Sequence, residues 1–213
     1  MIKRILAFGC SFTYGIGLSD CRDGLDPKSR PSQQAWPKLL SDMTGIPVIN
    51  RGAPAASNLE ILWNILESQF EPGDAAIIMW SLPNRDVYFT KTAQPGYAGN
   101  LRPFQQLGSW AKGDIARRWI TEMDEYDYSQ RSWLYMHHAQ LHLFHRRVPW
   151  VHWPAYPKET CQGKPQFLDI TNLYMHGMAN EDWADDKVHP GPLSHRLTAE
   201  CIRDQLRQSQ MIN

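Results

Sequence analysis

An excess of either charge, paired cysteines and long apolar runs are all missing from this chain of 213 residues, and each absence removes a class of function. Lys plus Arg number 22, as do Asp plus Glu, so there is no broad basic field to collect phosphate backbones. Nucleic acid is not expected as the main partner. The four cysteines, Cys10, Cys21, Cys161 and Cys201, stand far apart with no C-x-x-C pair. That spacing argues against a zinc knuckle and a disulfide scaffold, and a reducing, cytoplasmic setting is expected. The opening MIKRILAFG has two basic residues before an apolar run, but the run stops within about five residues, shorter than a signal-peptide core. No stretch approaches the roughly 20 apolar residues that cross a bilayer, so no membrane partner is expected. Internal repeats and low-complexity segments are also missing.

Hydrophobic residues make up 42% of the chain, enough for one sizeable core, and a single domain over 1–213 is expected. Ile2 to Phe8 is a short apolar run bounded by Gly9, which suits a buried strand. SQQAWPKLLSDMTG then reads as a helix, with Ser32 as cap, Pro37 in the first turn and Gly45 as stop. IPVIN at 46–50 is a second strand. The helix at 57–70 has Ser57 as cap and Glu60 completing a capping box. DAAIIMWSL at 74–82 is a third, wholly apolar strand. Strand and helix in alternation mean parallel pairing with right-handed crossovers. The expected fold is α/β, a three-layer α/β/α sandwich around a parallel sheet of four or five strands. A helix at 129–147, strands at 148–153 and 167–170, and a helix from Leu193 to Arg207 complete it. Residues 86–128 read as an irregular insertion of scattered glycines and aromatics, and a connection of that length is usually functional or mobile.

Ser11, in AFGCSFTYG, leaves the first strand at its carboxyl end, where open α/β sheets bind ligands. By itself it fits a turn residue as well as a nucleophile. The glycines at 9, 15 and 17 make neither a dinucleotide fingerprint, since Asp20 stands where the third glycine belongs, nor a P-loop. Thr13 stands where a G-x-S-x-G elbow needs glycine. At the other end of the chain, WADDKVHPGPLSH puts Asp186 three residues before His189. A serine hydroxyl needs a base, and an imidazole base works best when a carboxylate orients its second nitrogen. Asp186 fits that role, with Asp185 as an alternative.

GCSFTYG and DKVHP together resemble the first and last blocks of the SGNH (GDSL-like) hydrolases, in a Gly-Cys-Ser-Phe form. The resemblance implies a flavodoxin-like sandwich and a catalytic Ser11, His189 and Asp186. It also implies an oxyanion hole made from the Ser11 N–H, the Gly52 N–H in INRGAPAASN and the Asn84 amide in MWSLPNRD. A second histidine at the start of the last helix, in HPGPLSHRLTAECI, matches the family's ending. The chain departs from the pattern at Cys10, where aspartate is usual, and at Leu82 and Arg85 around the third block. Cys10 is expected beneath the nucleophile turn. Arg85 is an alternative or additional oxyanion donor, because a guanidinium can stabilise that charge.

The implied activity is that of a serine esterase or deacetylase acting through an acyl-enzyme on a small-molecule or carbohydrate ester. No cofactor is needed. The alternative is a non-catalytic carbohydrate-binding or assembly protein on a degenerate scaffold, and the Ser11–His189 separation distinguishes the two. His138, His142 and His145 share a helical face, but without an HExxH pattern or a nearby cysteine ligand no metal is expected. Trp36, Trp63 and Trp80 fall at core positions, while Trp110, inside the insertion, is a candidate substrate contact.

Overall fold

The structure, a computed structural model, describes residues 2–21, 29–95, 101–108, 111 and 113–212. In chain order the first half contains β1 (Arg4–Gly9), α1 (Ser11–Tyr14), α2 (Trp36–Thr44), β2 (Val48–Gly52), α3 (Asn58–Glu67) and β3 (Asp74–Trp80). The second half contains β4 (Asp86–Pro95), β5 (Leu101–Leu107), α4 (Asp114–Glu122), α5 (Glu125–Arg146), β6 (Trp150–Pro154), α6 (Pro157–Thr160) and α7 (Pro192–Gln208). The central sheet is parallel, in the order β2-β1-β3-β6. Helices α2 and α7 pack together, as do α3 and α5, so both faces of the sheet are covered. That is why β3 is apolar without alternation after Asp74 and buried at every position. The strand order changes direction between β1 and β3, and this is the place where such sheets bind ligands at their carboxyl edge.

The expected fifth strand at 167–170 does not form. A turn closed by Leu168 N on Pro165 O occupies it, and Gln140 holds the segment through Asp169 O and Thr171 N. The chain pairs with β6 later, in a parallel bridge between His152 and Leu173. The insertion is more regular than its composition suggested, for β4 and β5 form an antiparallel hairpin followed by α4. Helix α5 also starts before residue 129, at Glu125, because Asp124 caps it by accepting from Asp127 N at 2.8 Å.

Two expected caps change role. The N-cap of α2 is Ala35 rather than Ser32, whose hydroxyl instead accepts from Gln34 N in the preceding turn. The orphan Trp36 N–H at that helix start donates to His195 Nδ1 at 3.2 Å, a tertiary contact 159 residues away in sequence. Ser57 does cap α3, accepting from Glu60 N at 3.1 Å, but the helix ends at Glu67, short of residue 70. The Glu60 carboxylate does not turn back to complete the box. It is fully buried, makes an ion pair with Arg102 and accepts from Gln106 Nε2 at 2.8 Å, tying the hairpin to α3. Trp36 and Trp80 are core residues, whereas Trp63 is half-buried under Phe89 and Phe104 of the hairpin.

Candidate active site

Two loops meet at the carboxyl edge of the sheet. The first follows β1, where Gly9 lets α1 turn back sharply, since a side chain there would collide with Thr13 Oγ1. Cys10 is the N-cap of α1, buried beneath it, and its carbonyl accepts from Thr13 N and Tyr14 N at 3.0 Å each. Ser11 is therefore the first residue of α1, only 4% exposed. The second loop runs from Asp182 to Gly191 and is closed at its base by the Trp183–Pro190 bridge, by Ala184 N on His189 O and by Gly191 N on Asp182 O. Asp182 joins this base to α7, accepting from Leu193 N at 3.0 Å and from Ser194 N at 2.8 Å.

At the tip of the second loop, Lys187 takes the left-handed conformation with φ of 59°, which folds the Asp186 carboxylate over the following amides. Asp186 Oδ1 accepts from Val188 N at 2.9 Å and His189 N at 3.0 Å. Its Oδ2 lies 2.6 Å from His189 Nδ1, and His189 Nε2 lies 3.1 Å from Ser11 Oγ. Desolvation works against the charge on Asp186, but these hydrogen bonds outweigh it and hold the carboxyl below its usual range. The choice between the two aspartates is thus made by geometry. Asp185 instead uses its backbone N–H, donated to Gly17 O at 3.1 Å.

The expected oxyanion donors fare differently. Gly52 pairs in register with Gly9, beside α1, but its N–H donates to Asn50 Oδ1 at 2.9 Å. What Gly52 supplies is close approach, because a Cβ there would lie 2.6 Å from Tyr14 N. Asn50 also donates to Thr13 O at 2.6 Å and so ties β2 to α1, a contact its sequence position did not suggest. The next loop contains Ala55 with φ of 57°, a left-handed residue other than glycine in the turn that leaves β2 beside β1.

Asn84 is exposed and lines a separate groove with Ile120, Met123 and Tyr128, where its backbone carbonyl accepts from Trp119 Nε1. Arg85 turns inward instead, donating from Nη1 to Ser81 Oγ at 3.2 Å and lowering the cost of charge on Tyr156. Tyr156 was not foreseen. Its ring packs 5.6 Å from Phe12, which meets the His189 ring edge-on at 5.8 Å. Burial above all pushes the Tyr156 phenol up to about 12, so it stays a neutral donor at neutral pH. Its position just after β6 was the available signal, since that is again the carboxyl edge.

Trp110 lies outside the described residues. His138 and His145 are exposed and His142 is half-buried, so the helical stripe faces largely outward. Among the described residues, no group of three or more His, Cys, Asp or Glu is arranged to hold a metal ion, and no helix is long and apolar enough to cross a membrane.

No family model and no curated protein sequence matches the chain. Solved structures do resemble it. A lipolytic protein of the G-D-S-L family from Desulfitobacterium hafniense DCB-2 has a TM-score of 0.50 at 14% identity, over 95% of this chain and 98% of that one. The fold is that of the SGNH hydrolases. An acetyl xylan esterase from the rumen bacterium Butyrivibrio proteoclasticus has a TM-score of 0.56 at 12% identity, over 98% of this chain. A carbohydrate esterase whose active site displays divergent catalytic and non-catalytic binding functions has a TM-score of 0.58 at 15% identity, over 97% of this chain. This chain spans only 65% of the latter and 64% of the acetyl xylan esterase.

Proposed function

We propose that this protein is a serine hydrolase that cleaves carboxylic esters, with O-acyl carbohydrates as its substrate class. The observation that carries this reading is the unbroken chain from Asp186 Oδ2 through the His189 ring to Ser11 Oγ, at 2.6 Å and 3.1 Å. The second distance is hydrogen-bond reach and favours catalysis over a binding-only role on the same scaffold.

In this reading His189 Nε2 takes the Ser11 proton as Oγ attacks the ester carbonyl, and Asp186 holds the tautomer that makes Nε2 the acceptor. The resulting imidazolium protonates the leaving alcohol, and water then releases the acyl group by the same route. The chemistry uses no metal or organic cofactor. The tetrahedral oxyanion is assigned to the Ser11 N–H and to Arg85, which turns inward, in place of Asn84. Gly52 is left out because its N–H is already engaged by Asn50. Losing one such donor costs on the order of 3 kcal/mol of barrier, about a hundredfold in rate.

The carbohydrate class is supported by the similarity to carbohydrate esterases and by the cleft on the other side of α1. That cleft is lined by Asn50, Arg51, Asn64, Ser68 and Gln69, side chains suited to hydrogen-bonding hydroxyls rather than a lipid chain.

The test is fluorophosphonate labelling together with a panel of acetyl and longer-chain aryl esters and acetylated sugars. Wild type should label and turn over acetyl esters fastest, and Ser11→Ala should do neither. Labelling that persists in Ser11→Ala, or a wild type inert in both assays, would overturn the proposal.

A further inference from the structure

The Asp186 turn does not hold its carboxylate alone. Its own backbone amides engage only Oδ1, and Oδ2, the oxygen facing the imidazole, leans on the loop that follows α1. There Gly17 has φ of +88°, and a Cβ built on it would lie 2.6 Å from Asp186 Oδ2, 2.8 Å from Asp186 Cγ and 2.9 Å from Ala184 Cβ. The carboxylate thus lies directly against the Gly17 backbone, closer than any side chain permits. Two hydrogen bonds keep that backbone in place, Gly17 N to Cys21 O at 2.9 Å and Asp185 N to Gly17 O at 3.1 Å.

From this contact we infer that Gly17 is a positioning residue: it forms the wall that sets Asp186 Oδ2 against His189 Nδ1. It thereby ties the loop carrying the nucleophile to the loop carrying the base. The inference rests on the hydrolase reading for its catalytic consequence and on geometry alone for the contact. A methyl group at position 17 must push Asp186 or Ala184 away, and the first atom it meets is the oxygen that orients the imidazole. Misplacement of a catalytic group by about an ångström costs on the order of a hundredfold in rate.

Gly45 provides the control. It is also left-handed, with φ of +70°, but a Cβ there meets nothing within 4 Å, so Gly45→Ala carries the backbone strain without the collision. The experiment compares Gly17→Ala with Gly45→Ala by steady-state kinetics on an aryl acetate, by urea unfolding and by the low-field NMR signal of the His189 Nδ1 proton. Gly45→Ala should lose stability while keeping its kcat and imidazole signal. Gly17→Ala should lose about a hundredfold in kcat with KM little changed, and its imidazole proton should move upfield. Should Gly17→Ala alone fail to fold, it is placed in an Asp186→Gly background, where the collision with the carboxylate is gone. There Gly17→Ala should destabilise less than in the wild-type background, since only the contact with Ala184 Cβ and the backbone strain remain, and it should cost no further activity.

A Gly17→Ala protein with wild-type kcat and an unshifted imidazole proton would overturn the inference, as would full additivity of the two substitutions. The imidazole signal reports the contact whether or not esters are turned over. A wild type that does not label therefore counts against the hydrolase reading, while the signal still decides the role of Gly17.

Discussion

Two regions share the carboxyl edge of the sheet and are held there by opposite means. The loops carrying Ser11 and His189 are fixed through the main chain, by backbone hydrogen bonds, left-handed turns and glycine contacts and by Asn50, Asp182 and Asp186 side chains bonded to backbone groups. The hairpin of the insertion is fixed by side chains: the buried Glu60–Arg102 pair and the packing of Phe89 and Phe104 on Trp63. Main-chain anchoring leaves little freedom and suits chemistry. Side-chain anchoring is easily replaced and suits a region that shapes a pocket.

That contrast is sharpest if chemistry and stability fail separately. Asp186→Asn and His189→Ala should each reduce ester turnover by 10³-fold or more while leaving the urea midpoint nearly unchanged, on the order of losses from disrupted serine triads. A parallel loss of stability would show that the loops are not independently anchored.

Glu60→Ala should do the reverse. It leaves Arg102 buried without its partner and should cost about 3–5 kcal/mol of unfolding free energy. The triad should still label with a fluorophosphonate at the normal rate in the folded fraction.

Acid should act on the body of the fold before it acts on Asp186. Burial pushes the His195 imidazole down to about 4 and the His152 imidazole to about 3, against an ordinary value of 6.5. Below pH about 6.5 the unfolded state binds protons that these two rings refuse, so stability falls as pH falls. The slope is on the order of 1.4 kcal/mol per pH unit for each ring, down to its folded value. His195→Asn, measured by urea unfolding at pH 7 and pH 5, should reduce that dependence. A slope unchanged by the substitution would contradict the assignment.

The smallest effect belongs to Asn84→Ala. With its side chain in the outer groove, turnover should change by less than about threefold, whereas Arg85→Ala should lose roughly a hundredfold, as expected for an oxyanion donor. Equal losses would return Asn84 to the site.

Much of this was legible beforehand because local patterns carried it. Ser57 and Gly45 mark helix ends through contacts within a few residues, and the run expected as a strand at 74–82 contains β3, which stops at Trp80, because a doubly covered strand needs no alternation. Asp186 and His189 were visible as a pair because the carboxylate, the ring and two amides all lie within one turn. Where two distant segments meet, the same reasoning failed. Glu60 looks like a capping-box residue until Arg102 is brought across. The hairpin was obscured by the glycines and prolines around it, and its strands are recognisable only once Trp63 gives them a surface to cover.

The sequence by itself determined the α/β order, the buried strands and the candidate pairing of a serine with a distant histidine, because hydrophobic period and turn chemistry act over short range. Only the tertiary structure decided which carboxylate faces the imidazole, that Arg85 rather than Asn84 turns inward, and that Gly17 is where the two loops touch. The last of these joins two segments far apart in the chain, and the first two turn on side-chain directions within a turn, which residue type and spacing leave open.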